Sequence, residues 1–223
     1  MQGYAMVKKT KAEALKTRQL LIDTAIAQFA ARGVTNTTLN DIADAAQVTR
    51  GAIYWHFENK IQLFNEIWRQ QPALSELITI DLTAEWQNNP LRLMREKLIL
   101  GLQYIATNPR QRALMQILYH KCEFHEEMLS EQYIREKIGF SHPQMRSLLI
   151  QAIARGQLSP SLDLDVILII LHGCFSGIVK NWLMNQAQYD LFSQAPALVD
   201  NTLRMLVNNY NFDECVMAEG IAG

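Results

Sequence analysis

The segment TTLNDIADAAQVTRGAIYWHFENK, Thr37 to Lys60, decides the fold of the first part of this chain. It holds two runs of helical periodicity separated by Gln47-Val48, and each run is too short to form a stable helix alone. Their apolar positions can pack together, with the helical pattern over 11–32 as a third element. Small alanines at the crossing allow the close approach that a helix-turn-helix requires. We therefore predict a helix-turn-helix.

The residues left on the outside of the second short helix point to nucleic acid. Tyr54 and Trp55 are adjacent there, and a solvated helix rarely carries two such rings without a use. The planar fork of Arg50, near the start of the helix, matches guanine O6 and N7 in a major groove. Residues suited to phosphate contact or close backbone approach are Thr49, Gly51, Ala52, His56 and Lys60. The alternative is that both rings are core and that Arg50 is an ordinary solvated charge.

This segment resembles the DNA-binding domain of the TetR family of regulators. The matching stretches are Phe29–Gly33, Thr37-Thr38, Ile42-Ala43, Val48–Gly51, Ile53–Phe57, Lys60 and Leu63-Phe64. The resemblance implies a phosphate-binding helix start at Thr37 and Thr38 and a base-reading role for Arg50. It also implies backbone contacts from Gly51, Tyr54, Trp55, His56 and Lys60. An arginine often present early in the family's first short helix is Asn40 here, which puts a base contact from that helix in doubt.

Composition and charge fit a cytoplasmic DNA-binding protein. The 223 residues are 49% hydrophobic, and the net charge is −1. Residues 1–70 carry nine Lys or Arg against six Asp or Glu, whereas 71–223 carry twelve against sixteen. A mildly basic front therefore precedes an acidic body. No secretion signal is visible, and the apolar run Val166–Val179 is predicted to be too short to span a bilayer, so we expect no membrane contact.

Nothing in the sequence predicts catalysis, a cofactor or a metal. Cys122, Cys174 and Cys215 are far apart and are expected to be reduced thiols. The stretch His120–Glu127 contains potential metal ligands, but they share neither a helical face nor a known ligand spacing. Neither a Ser-His-Asp arrangement, a Gly-rich phosphate loop nor a pair of carboxylates is apparent. We therefore expect no enzyme, no metal and no cofactor.

Helical periodicity and cap signals divide the whole chain into about nine helices. The predicted fold is all-α: an N-terminal three-helix helix-turn-helix head over 15–75 and a C-terminal helical bundle over 76–223. One long helical pattern covers 126–155 with a break at 139–143, and Pro72 is expected to kink or end its helix. Helix starts are predicted at Thr37 or Thr38, Thr49, Asn59, Asn89-Pro90, Asn108-Pro109 and Asp163 or Asp165.

Outside the helix-turn-helix segment, the chain resembles the subgroup of this family that represses multidrug efflux-pump operons in enteric bacteria. The likeness lies in Lys9–Ala14, His120–Phe124, Ser176-Gly177 and Asn181–Leu183. It implies a small, drug-like, often cationic effector held by aromatic, Met and a few polar side chains. The candidates are Trp68, Gln103, Tyr104, Met115, Tyr119, Glu123, Phe124, Met128 and Trp182. For any one of these residues a plain core or surface position is the commoner explanation.

The last two helical patterns are apolar on more than one stripe and need a partner to bury them. Gly173, Cys174 and Gly177 form a flat strip that another helix can approach. The resemblance implies a two-fold, four-helix dimer interface, in which we include Leu203 and Leu206. The expected protein is a homodimeric repressor that binds a palindromic operator in double-stranded DNA and is released by a ligand. The alternatives are a constitutive repressor and a protein-interaction module whose partner binds Tyr54 and Trp55.

Overall fold

The computed structural model describes residues 11–78 and 89–207, and within these stretches the chain is helical with no β-strand. The helices are α1 (Lys11–Arg32), α2 (Leu39–Ala45), α3 (Arg50–His56), α4 (Lys60–Gln70), α5 (Leu74–Leu77), α6 (Pro90–Thr107), α7 (Pro109–Gln116), α8 (Glu131–Ile138), α9 (His142–Ala154), α10 (Leu164–Met184) and α11 (Leu191–Val207). A π-helical turn, Ile117–Lys121, continues α7. The all-α prediction is confirmed.

The described stretches hold eleven helices rather than the nine or so that periodicity predicted. The pattern over 126–155 is two helices, α8 and α9, which are separated by the extended backbone of Gly139. Helix α5 is a single turn, too short for periodicity to reveal. Pro72 ends α4 as predicted: the helix stops at Gln70, and the residue before the proline takes an extended conformation.

Side-chain caps fix the helix starts where the sequence placed them. At α2 the Thr38 hydroxyl accepts from the Asp41 amide at 3.1 Å, and the Asp41 carboxylate accepts from the Thr38 amide at 2.8 Å. At α3 the Thr49 hydroxyl accepts from the Ala52 amide at 3.2 Å. The side chains that cap α4, α6, α7 and α10 are those of Asn59, Asn89, Asn108 and Asp163. Each cap satisfies backbone donors that a helix start otherwise leaves unpaired.

One continuous hydrophobic core joins the head to the body. Helix α1 packs on α2, α3 and α4 on one side and on α7 and the π-helical turn on the other. In the body, α6 packs between α9 and α11 and also contacts α7. Gly33 ends α1 with φ of 89°, a left-handed conformation that glycine adopts without strain. The first helix of the head, α1, therefore packs directly against the body.

Helix α10 is 21 residues long, and by length and composition alone it is apolar enough to cross a membrane. It extends beyond the apolar run 166–179 on which the length argument of the sequence rested. One of its faces is buried in the bundle through Ile167, Leu168, Leu171, Phe175, Val179, Trp182 and Leu183. Packing against α7, α9 and α11 accounts for that face of the helix.

Candidate nucleic-acid interface and helical body

The interior of the head holds α2 and α3 at a fixed crossing. Ile42 and Ala43 of α2, Ile53 of α3 and Phe29 of α1 are fully buried in one core. The turn between the two short helices places Gln47 in a left-handed conformation, with φ of 55°. The predicted packing of the two helices under α1 is confirmed. This packing fixes which side of α3 faces outward.

Tyr54 and Trp55 lie on that outward face. Tyr54 is 52% exposed and Trp55 is 73% exposed, and both Arg50 and Gly51 beside them are exposed. The rings of Trp55 and His56 meet edge to face, with centroids 4.5 Å apart. These exposures exclude the alternative that both rings are core residues. Helix α3 carries no acidic residue, so its outer face offers ring surfaces, hydrogen-bond donors and a guanidinium without a competing carboxylate.

The position of Thr37 contradicts the phosphate contact predicted for it, and Thr38 matches its prediction only in part. The Thr37 side chain is fully buried, and its hydroxyl donates to the Gly33 carbonyl at 2.8 Å, so it ties α2 to the end of α1 and cannot reach a phosphate. Thr38 is exposed, and its hydroxyl interacts with Asp41 as the cap of α2. Hydrogen bonds from the Thr38 hydroxyl and amide hold the pKa of the Asp41 carboxyl below its usual value.

Lys60 has a structural role that the sequence did not reveal. Its Nζ donates to the Val34 carbonyl at 2.7 Å and the Thr35 carbonyl at 3.3 Å, which fixes the loop between α1 and α2. Asn40, where the resemblance leads one to expect arginine, is half-buried, and its Oδ1 has no hydrogen-bond partner among the described residues. Most of the exposed candidate contact residues therefore lie on α3 or at its N-terminal cap.

Among the hydrogen bonds that link the body to the head, two sets lie on opposite sides of α3 in the chain. The amide of Val34, before α2, donates to the Lys121 carbonyl of the π-helical turn at 2.9 Å. In α4, the Asn65 side chain accepts from the Leu129 amide at 2.7 Å and donates to the Glu127 carbonyl at 3.1 Å. The sequence alone contains no signal for these contacts, because the partners are more than sixty positions apart. Any shift of residues 121–129 therefore acts on both sides of α3.

Most of the predicted effector residues do not come together in one site. Trp68, Met115, Met128 and Trp182 are buried in the core, whereas Glu123 is exposed at the surface, which is the commoner position expected for it rather than a place in a pocket. The remaining three polar side chains make contacts of their own: Gln103 with the Phe192 carbonyl, Tyr104 with Asn108, and Tyr119 beneath the Arg135 guanidinium. Two cavities in the body, of about 670 and 40 Å³, are lined by other residues.

Trp68 and Phe124 are the predicted effector residues that the structure brings together. The ring of Phe64 lies between them, edge to face with Trp68 at 5.7 Å and with Phe124 at 6.1 Å. Trp68 is fully buried, and its Nε1 has no hydrogen-bond partner among the described residues. An unpaired buried donor costs about 1–3 kcal/mol, so an acceptor that reached this indole N–H would be favoured.

The 40 Å³ cavity is lined by residues that the sequence did not predict to line a site. It lies between α5, α6 and α9 and is lined in part by Ile78, Leu98 and Phe140. The Phe140 ring fills most of the space beside Gly101: a Cβ atom added to that glycine would lie 2.5 Å from Phe140 Cε1. The same ring lies 5.4 Å from that of Phe175 in α10. Periodicity placed Gly101 in a helix but could not show which ring it faces.

The outer face of α10 is apolar and open. Val166, Ile169 and Met184 are 49%, 70% and 71% exposed, and a Cβ atom added to Gly173 or Gly177 would meet nothing within 4 Å. A groove of about 970 Å³ runs between this face and α11 and is lined by Gly173, Cys174, Gly177, Ile178, Asn181, Leu198 and Thr202 among others. The prediction that Leu203 lies in the dimer interface is wrong, because this residue lines the 670 Å³ cavity on the inner side of α11. Leu206 lies outside the residues whose side chains are described.

Comparison with known proteins identifies both parts of the chain. Residues 21–67 match the family described as bacterial regulatory proteins, tetR family, and residues 89–208 match the C-terminal region of MAATS-type transcriptional repressors. The chain is 64% identical over 211 residues to the probable acrEF/envCD operon repressor of Escherichia coli K12, covering 95% of this chain and 96% of that protein. It is 38% identical over 201 residues to the transcriptional regulator AcrR of Shigella flexneri, covering 90% and 94%.

Solved structures give the same result. NalD, the secondary repressor of the MexAB-OprM multidrug efflux pump in Pseudomonas aeruginosa, superposes with a TM-score of 0.67 at 31% identity, over 88% of this chain and 98% of that one. MexZ, described as a repressor responsible for antibiotic resistance in the same organism, gives a TM-score of 0.70 at 26% identity, over 87% and 96%.

Proposed function

This chain belongs to the TetR family of bacterial regulatory proteins, and from that premise we propose that it is a cytoplasmic repressor that binds operator DNA as a homodimer. The observation that carries the proposal is the outward face of α3, where two large aromatic rings are exposed although the core of the head is already complete without them. Residues 15–75 form the DNA-binding domain in this proposal, and residues 76–223 form the effector-binding and dimerisation domain.

The contacts follow from the chemistry of each side chain. Arg50 enters the major groove at the start of α3 and reads a guanine, since its fork matches O6 and N7. Phosphate and sugar contacts, which position the protein without reading sequence, are assigned to Thr38, Thr49, Gly51, Tyr54, Trp55, His56 and Lys60. Gly51 lets the backbone approach closely, because a Cβ there has only the Thr49 hydroxyl within 4 Å. Thr37 is a positioning residue and makes no contact itself.

Dimerisation uses the open apolar face of α10 together with α11. Exposed Ile169, Ile170 and Met184 are costly in water, and the glycine strip beside them lets a second copy of the same face approach. A two-fold dimer presents two α3 helices to a palindromic operator, with half-sites about 34–36 Å apart. The residues that we assign to this interface are Gly173, Cys174 and Gly177, with Leu206 at the end of α11.

The regulated genes are proposed to be those of a multidrug efflux pump, because NalD, to which the chain is 31% identical, is a repressor of such a pump. The effector is a bulky aromatic, often cationic compound that reaches the Trp68–Phe124 cluster, where the indole N–H has no acceptor within residues 11–78 and 89–207. Binding there displaces α4, which begins four residues after α3 ends and is bonded to residues 127–129 through Asn65. The spacing of the two α3 helices changes, and operator DNA is released.

The test has two stages. Genomic fragments bound by the protein are isolated and sequenced, and the enriched sequence is then compared with a scrambled duplex in a mobility-shift assay. We expect an enriched palindrome near efflux genes and preferential binding to it. Absence of enriched DNA refutes the repressor. Addition of dyes and antibiotics to the complex tests the effector: if every compound leaves binding unchanged, the protein is a constitutive repressor, and the release step is wrong.

A further inference from the structure

The π-helical turn Ile117–Lys121 is hydrogen-bonded both to α10, which we assign to the dimer interface, and to the head. Its first two residues, Ile117 and Leu118, are buried in the core and anchor the turn. Its last two residues, His120 and Lys121, make the bonds to the two neighbouring parts. Single π-helical turns are rare, and they occur frequently at functional sites.

The first bond joins the turn to α10. The Nε2 atom of His120 lies 2.9 Å from the carbonyl oxygen of Lys180. Because a carbonyl oxygen can only accept, Nε2 carries the proton and the imidazole acts as the donor. Lys180 lies between Gly177 and the exposed Met184, within the stretch of α10 that we assign to the dimer. A displacement of α10 at the interface therefore reaches the turn through His120.

The second bond joins the turn to the head. The carbonyl of Lys121 accepts from the amide of Val34 at 2.9 Å. Val34 is buried, and its own carbonyl accepts from Lys60 Nζ at 2.7 Å. The turn and this loop are close together, since a Cβ atom added to Gly33 would lie 3.5 Å from the Lys121 oxygen. Val34 precedes α2 and Lys60 begins α4, so this bond acts on both sides of α3.

The two bonds start from consecutive residues, His120 and Lys121. The peptide unit between these residues is planar and rigid. Both bonds are 2.9 Å long, the usual length for an N–H donor and a carbonyl acceptor. The contacts of Asn65 are different, since they reach residues 127–129, which lie outside any helix. The orientation of α10 and that of the head are therefore set together at this turn.

We propose that His120 is a positioning residue for operator binding, which fixes the head relative to the dimer helix through the Lys180 carbonyl. The proposal rests on the function proposed above, because it requires a dimer held by α10 and α11 and an operator with two half-sites. With the bond in place, the two α3 helices of the dimer keep one separation. Without it, each head is held less firmly, and the dimer accepts half-sites at other separations while losing affinity for the correct one.

Fluorescence anisotropy of the full-length protein tests the proposal with two labelled duplexes. One is the operator recovered from bound genomic fragments, and the other has one base pair inserted between the half-sites. The insertion separates the half-sites by about 3.4 Å and rotates one against the other by about 35°. We expect the wild-type protein to prefer the unaltered operator by about tenfold or more. His120→Leu should lower that preference by about fivefold, the size expected for the loss of one hydrogen bond.

Two further variants show whether the hydrogen bond is responsible. His120→Gln keeps an N–H donor at the end of a side chain of similar length, so it should retain the wild-type preference. His125→Leu is the matched control, because His125 is an exposed histidine of the same segment and should also retain it. Without DNA, His120→Leu should remain a dimer in sedimentation, and its Val34 amide should exchange hydrogen faster than in the wild-type protein.

The outcomes separate this role from general stability and from the proposed function. An unchanged preference in His120→Leu, an equal loss of affinity for both duplexes, or unchanged exchange at Val34 overturns the proposal. The same loss of preference in His120→Gln or His125→Leu also overturns it, because the donor at position 120 would then be irrelevant. Wild-type protein that binds both duplexes equally refutes the positioning role alone. Wild-type protein that binds neither duplex refutes the proposed function and this role with it.

Discussion

Trp55 and Phe57 are neighbouring aromatic residues, but replacing each with alanine should have a different effect. Trp55→Ala should weaken DNA binding, whereas Phe57→Ala should destabilise the fold. Phe57 is 1% exposed and lies beneath the Arg18 guanidinium, so Phe57→Ala should cost about 3–5 kcal/mol of unfolding free energy. Trp55 is 73% exposed, so about a quarter of its surface is buried. At about 25 cal/mol per Å² and up to about 250 Å² for a buried Trp, its loss costs about 1.5 kcal/mol. Alanine's higher helix propensity returns part of this cost.

The two free energies are measured by urea unfolding followed by far-ultraviolet circular dichroism, which does not depend on the tryptophan that is removed. Operator binding is measured by fluorescence anisotropy of a labelled duplex. We expect Trp55→Ala to keep a near wild-type unfolding midpoint and to bind the operator at least tenfold more weakly. If Trp55→Ala unfolds as readily as Phe57→Ala, the outward orientation of α3 is wrong. If it is stable and binds the operator normally, the aromatic face is not a DNA contact.

Four other substitutions test separate parts of the molecule. Arg50→Ala should lose about 1–3 kcal/mol per protomer of operator affinity and relax discrimination at one base pair per half-site; an unchanged ratio of operator to scrambled binding rules out base reading. Lys60→Ala should weaken all duplexes alike and lower the salt slope by about one. It should also destabilise the head, because the Val34 and Thr35 carbonyls lose the Lys60 ammonium as a donor, and an unchanged unfolding midpoint contradicts that role. Gly177→Glu adds a side chain where the free chain has open space, so it should fold normally yet cost about 3–5 kcal/mol of association by burying an unpaired charge; a sedimentation profile identical to that of the wild-type dimer excludes α10 from the interface. Gly101→Ala should cost about 1–3 kcal/mol, since its Cβ would lie 2.5 Å from Phe140, and the double variant with Phe140→Leu should recover part of the loss.

The features that the sequence predicted correctly depend on residues that are close together in the chain. Each confirmed cap is a contact between a side chain and a backbone amide two or three positions later, so the local sequence contains all of the required information. The choice between Thr37 and Thr38 was different, because the two residues are chemically identical. The Gly33 carbonyl decides it: this group needs a donor, the Thr37 hydroxyl supplies it, and Thr38 is left to cap α2.

The cavities of the body were the least predictable feature, because they depend on how helices are rotated against one another. Periodicity shows which residues share a helical face but not which neighbour that face meets. Helix α11 carries apolar residues on two faces, and its sequence does not show that Leu203 points toward α6 while Met205 points outward. A cavity is the space that several such rotations leave unfilled. The two cavities of the body are lined by residues of α5, α6, α9, α10 and α11 and by residues between helices, whereas the outward side of α3 follows from one helix packed on two others. The structure of the head can therefore be predicted from local sequence, whereas the cavities of the body cannot.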